Sequence, residues 1–176
     1  MMYQAYQAQS DLMRPLRHLA KVHGSMLGTE PPRPGFAALG RSGMAASKVF
    51  ELSEVTHRRP PWRLESVMAQ GEEQPVVEEV VLRTAFAELR RFAKPGVTGQ
   101  PRLLVVAPMS GHFATLLRDT VRTALQDHDV YVTDWLNVRD VPLAEGRFGL
   151  DEYIEHVMRF TAALGPGGHV LAVCQP

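Results

Sequence analysis

The sequence predicts an α/β fold built on a parallel sheet, and three observations predict it. Arg102–Ala107 (RLLVVA), Asp129–Trp135 (DVYVTDW) and His169–Val173 (HVLAV) are short apolar runs rich in β-branched residues, as expected of strands in a covered sheet. Two segments of helical spacing lie between them. One carries Leu117, Val121, Ala124 and Leu125; the other carries Leu150, Tyr153, Ile154, Val157, Met158, Thr161 and Leu164. Strand, helix, strand, helix, strand at these lengths requires two right-handed crossovers, so the three strands should be parallel neighbours.

The remaining elements follow in chain order. From Tyr3 to about His23, Leu12, Met13, Leu16, Leu19 and Ala20 recur at helical spacing, and Pro15 should break or kink that helix. Gly28 to Gly43 holds Pro31, Pro32, Pro34, Gly35 and Gly40 and reads as loop. Residues 1–60 thus form a helical and loop extension, and residues 61–176 the α/β part. Between Trp62 and Lys94, Val76, Val80 and Leu82 alternate with Glu79 and Arg83, which predicts a strand. Phe86 to Phe92 fits either a second strand or a short helix, and antiparallel pairing at a sheet edge suits the region. The second crossover helix should start at Asp151 and Glu152, where the dipole favours acids, and end at Gly165–Gly168. Met13, Met26, Met44 and Met68 read as packing.

Composition narrows the function classes. Nineteen basic residues balance nineteen acidic ones, so no overall field gathers nucleic acid or anionic lipid. One cysteine allows neither an internal disulfide nor a C-x-x-C zinc knuckle, and a reducing compartment is its natural setting. The N-terminus has no uninterrupted apolar segment or small-residue cleavage site, and no stretch approaches a membrane span. A cytoplasmic protein is expected.

In a parallel sheet the working residues gather where strands end. Two strand ends here are unusual: Ala107 leads into PMSGHF, and Val173 leads into Cys174, Gln175 and Pro176. A thiol just beyond a buried strand is exposed at the sheet rim, and a helix starting there favours its thiolate. This is the placement of a nucleophile elbow, G-x-S-x-G, although Ala172 and Pro176 replace both glycines. The competing reading is an inert, small core cysteine. Acyl transfer also needs two convergent N–H groups for the oxyanion. Gln175 would supply one, and the loop around Met109 and Ser110 the other, with Gly111 permitting close approach. The same loop also reads as a plain strand-to-helix turn capped by Ser110 or Thr115, and the pattern leaves both readings open. In elbow enzymes the acid and histidine follow the nucleophile in the chain. His112 therefore reads as a loop or pocket residue, and Asp134 and Asp140 as turn or cap residues.

PRLLVVAPMSGHFATLLRDTV, DHDVYVTDW, DVPLAEGRF, LDEYI and HVLAVCQP together resemble the intracellular polyhydroxybutyrate depolymerases. The similarity is continuous from Pro101 to Pro176 and looser from Tyr3 to Lys94, where EEVVLRTAF stands out. The resemblance implies an α/β-hydrolase core of which this chain is the N-terminal part, its sheet incomplete. It implies Cys174 as nucleophile and hydrolysis of 3-hydroxybutyrate esters in cytoplasmic storage granules, with neither metal nor cofactor. The polymer granule or short 3-hydroxybutyrate oligomers would be the partners. It further implies that an Asp and a His come from a C-terminal companion segment, so the chain alone should not turn over. Two rivals remain: a polyhydroxyalkanoate synthase-like acyltransferase using the same cysteine, and a non-catalytic granule-binding or interaction fragment.

Overall fold

The structure, a computed structural model, describes residues 2–27, 37–52, 59–109 and 113–174. The chain divides into two compact units, Met1–His57 and Arg58–Pro176.

The first unit holds two helices, α1 (Met2–Leu27) and α2 (Ala37–Leu52), which pack on each other. Pro15 was expected to break or kink α1, and the helix runs through it without a break. A proline removes one backbone hydrogen bond, and the turns on either side of it hold the remainder of the ladder. The expected loop over Gly28–Gly43 is also too long, because α2 already begins at Ala37. Gly40 and Gly43 are helical there, since a glycine lowers helix stability without forbidding it.

The second unit begins with a small antiparallel hairpin, β1 (Ser66–Ala69) and β2 (Glu72–Pro75). Its two-residue turn places Gln70 at φ 54° and Gly71 at φ 85°, the positive angles that a primed turn demands. Five further strands form one mixed sheet: β3 (Val77–Arg83), β4 (Ala87–Ala93), β5 (Arg102–Val106), β6 (Asp129–Trp135) and β7 (His169–Ala172). Their order is β3-β4-β6-β5-β7. β5 pairs in parallel with β6 and with β7, as the sequence predicted. β3, β4 and β6 are antiparallel neighbours, which resolves Phe86–Phe92 as strand and puts the antiparallel pair at one edge. As the outermost strand, β3 is exposed along most of its length and carries a bulge between Val80 and Leu82.

The first crossover is a 3-10 turn (Ala114–Leu117) followed by α3 (Arg118–Ala124), with Leu117, Val121 and Leu125 buried as predicted. The second is α4 (Leu150–Leu164), stopped by Gly165 at φ 74°. Glu152 accepts the Gly149 N–H at 2.7 Å and closes its first turn. The buried stripe of α4 is rotated from the predicted one. Tyr153, Phe160 and Leu164 are buried, whereas Leu150, Ile154 and Met158 are exposed. Phe160, a core residue at 0% exposure, falls one position outside the predicted row.

The core lies on both faces of the central strands, with Trp62, Phe92, Leu89, Leu104, Val105, Val130 and Val132 fully or almost fully buried. Trp62 packs edge-on to Phe92 with ring centroids 4.9 Å apart. Met68, expected to pack, is exposed at 56% on the hairpin. No described helix is long and apolar enough to cross a membrane.

Candidate active site at the carboxyl ends of the parallel strands

The order β6-β5-β7 means that the chain leaves β5 to one side and returns on the other. In an open α/β sheet that reversal opens a crevice beyond the carboxyl ends of the two strands on either side of it. Here those strands are β5 and β7. Val106 pairs with Ala172, and the Val173 N–H donates to the Val106 carbonyl at 3.2 Å. Cys174 and Pro108 each lie two residues beyond that last pair. The parallel pairing therefore ends β5 and β7 at the same edge of the sheet, where Pro108 and Cys174 follow them.

Cys174 is exposed. Its backbone has φ 65°. Only three described non-glycine residues have a positive φ, and the hairpin turn accounts for Gln70. For Cys174 the angle falls at the point where β7 ends. A left-handed residue there departs from the extended backbone of the strand. Among the described residues the thiol makes no hydrogen bond.

The base of the facing loop is pinned by side chains from β6. Where the ladder gives out, the Ala107 N–H donates to Thr133 Oγ1 at 2.9 Å, and Trp135 Nε1 donates to the Ala107 carbonyl at 2.9 Å. Trp135 in turn packs against Tyr153 of α4, centroids 4.6 Å apart, and burial pushes the Tyr153 phenol up. Met109, at the loop's start, is 45% exposed. Ser110, Gly111, His112 and Gln175 lie outside the described residues. The predicted cap is not observed at Thr115: Phe113 precedes the 3-10 turn without a side-chain bond, and Thr115 is buried.

Asp134 departs from its predicted role as a turn or cap. It is fully buried on β6 within a charged network. Arg90 Nε donates to its Oδ2 at 2.6 Å, and Arg59 Nε lies 3.3 Å from the same oxygen. Arg90 also pairs with Glu78 and Glu88, and Arg83 with Glu88 at 2.6 Å. Burial raises the Asp134 carboxyl, and Arg59 and Arg90 pull it down without cancelling that rise. Asp140 ends a 3-10 turn, as expected, and borders a cleft of about 230 Å³ with Asn137, Pro142 and Glu145. His156 is held elsewhere, its Nδ1 2.6 Å from the Glu152 carbonyl and its Nε2 3.0 Å from Thr84 Oγ1. Both Asp134 and His156 are thus engaged by other partners.

Sequence reasoning missed Thr133 and Trp135 as supports of the loop. A hydroxyl and an indole at the carboxyl end of a buried strand were the available signal, because buried polar atoms need partners. Compared with known proteins, the chain matches no family model, no curated protein and no solved structure.

Proposed function

We propose that this chain is the nucleophile-bearing part of an esterase of α/β-hydrolase type, acting on 3-hydroxybutyrate esters of storage granules in the cytoplasm. The observation that carries the reading is the exposed cysteine at φ 65°, directly beyond a parallel strand at the sheet's reversal point. The resemblance of PMSGH and CQP to the intracellular polyhydroxybutyrate depolymerases supplies the substrate class.

In this reading Cys174 Sγ attacks the ester carbonyl carbon. The amides of Gln175 and of the Met109–Ser110 loop hold the oxyanion. The C–O bond breaks, the departing alkoxide takes the proton that the Cys174 thiol gave up, and a thioester remains on Cys174. Water then attacks the thioester and the C–S bond breaks. That second half needs a general base, which the reading assigns to a His and an Asp of a companion segment. Strand β7 supports such a segment. Val170 and Leu171 are exposed at 51% and 38% on opposite faces of the strand, whereas parallel strands are ordinarily covered on both.

Short activated 3-hydroxybutyrate esters offered to the purified chain test the reading. Release of one equivalent of leaving group without sustained turnover supports it. Sustained turnover would show that the base lies within this chain. Transfer of the acyl group to a hydroxyl acceptor in preference to water, with the companion segment added, would favour the synthase-like acyltransferase.

A further inference from the structure

We infer, resting on the esterase reading above, that Tyr153 donates the hydrogen bond by which the site distinguishes a 3-hydroxyacyl group from a plain acyl group. The inference starts from an oxygen without a partner. Tyr153 lies near the start of α4 at 4% exposure, and its hydroxyl is buried with no hydrogen bond among the described residues. Burial pushes its phenol up, with neither a hydrogen bond nor a charge opposing it. The group therefore keeps its proton at neutral pH and is a donor. Buried hydroxyls ordinarily have a partner, and Tyr131 on β6 follows that rule by donating to Asp129 at 3.3 Å. An unpaired one weakens the fold, because phenylalanine would fill the same space without burying an oxygen.

The place of Tyr153 in the fold says where a partner arrives. Its ring packs on Trp135, the last residue of β6, with centroids 4.6 Å apart. Trp135 Nε1 in turn donates to the Ala107 carbonyl at 2.9 Å, and Ala107 is the residue from which the PMSGHF loop departs. One indole ring therefore links Tyr153 to the base of that loop, at the edge of the sheet where Cys174 follows β7. The chemistry of the acyl group selects the acceptor. On this reading the carbonyl oxygen of a 3-hydroxybutyryl group goes to the oxyanion amides, and the ester oxygen leaves with the alcohol. The 3-oxygen remains, and a neutral O–H donor suits it. A butyryl group lacks that oxygen. A site with a buried donor rejects the analogue that leaves it unpaired, and dry surroundings strengthen the bond that forms there.

Acylation of Cys174 by activated 3-hydroxybutyryl and butyryl esters tests this, followed as release of the leaving group from the parent, Tyr153→Phe and, as a control, Tyr131→Phe. The parent and Tyr131→Phe should both prefer the 3-hydroxybutyryl ester. Tyr153→Phe should lose roughly fivefold in rate with that ester and keep the parent rate with the butyryl ester. A tyrosine with a merely structural role would change both rates together. Urea unfolding is the second measurement, and Tyr153→Phe should be at least as stable as the parent because it buries no unpaired oxygen. A rate ratio unchanged in Tyr153→Phe overturns the inference and leaves the esterase reading standing. A Tyr153→Phe chain less stable than the parent overturns it equally, since the hydroxyl would then have its partner inside the chain. A parent whose Cys174 is modified by neither ester overturns the esterase reading and the inference with it.

Discussion

Replacing Cys174 by glycine should stabilise the folded chain relative to alanine at the same position. A left-handed backbone costs a residue bearing a Cβ about 1–2 kcal/mol, and Cys174 stands at φ 65°. Glycine escapes that cost but loses more freedom on folding, roughly 0.5–1 kcal/mol relative to alanine. The side chain is exposed, so removing it forfeits little burial. The balance favours Cys174→Gly over Cys174→Ala by about 0.5–1 kcal/mol. With a urea dependence of about 2 kcal/mol/M, the midpoint should rise by roughly 0.3–0.5 M. Cys174→Ala should stay within about 0.5 kcal/mol of the parent, as exposed substitutions do. Urea titrations followed by tryptophan fluorescence would measure all three, because Trp62 and Trp135 belong to the same unit as residue 174. A glycine variant equal to or less stable than the alanine variant would refute the reasoning, since residue 174 would then not be held left-handed. Confirmation would mean that the chain gives up stability at this position in return for an exposed thiol.

Three further outcomes follow from the same geometry. Because burial leaves Asp134 easier to protonate folded than unfolded, its contribution is complete below the unfolded carboxylate value and falls as pH rises through the folded one. The parent should therefore lose ground to Asp134→Asn from about pH 4 upward, and urea midpoints with a pH-independent gap would contradict this. Lys94 is buried and donates to the Leu125 and His128 carbonyls at the end of the first crossover helix. Lys94→Met should cost about 1–3 kcal/mol in thermal or urea unfolding, and an unchanged midpoint would show that water serves those carbonyls as well. Trp135→Phe removes the donor to the Ala107 carbonyl. A loss of about 1 kcal/mol in urea unfolding, with slower acylation of Cys174, is expected; an unaltered acylation rate would show that the loop does not depend on that bond.

The central strands were legible because periodicity and length agree there. RLLVV, DVYVTDW and HVLA are strands with the parallel pairing expected of two crossovers. What periodicity could not reveal was tertiary context. Ile154 and Met158 look as core-forming as Phe160, and only the position of α4 over the sheet decides which row is buried. Asp134 reads as a turn former until Arg59 and Arg90, distant in the chain, are seen to neutralise it inside the fold. Pro15 and the glycines of α2 are local breakers whose cost the surrounding helix absorbs. At the site, the cysteine's position after a strand was readable, but its positive φ is a property of the folded backbone. The Thr133 and Trp135 bonds to Ala107 likewise required knowing that β5 and β6 are neighbours.

The central claim is that Cys174 is an acyl-accepting nucleophile, and locating the acyl group tests it most directly. The chain would be mixed with an activated 3-hydroxybutyrate ester, quenched in acid, and analysed by intact and peptide mass spectrometry. One 3-hydroxybutyryl group should appear per chain, as a hydroxylamine-sensitive thioester on the peptide carrying Cys174, and it should persist because the proposed reading assigns the base that activates water to a companion segment. Cys174→Ala should remain unmodified. An acyl group elsewhere, or equal labelling of Cys174→Ala, would contradict the account.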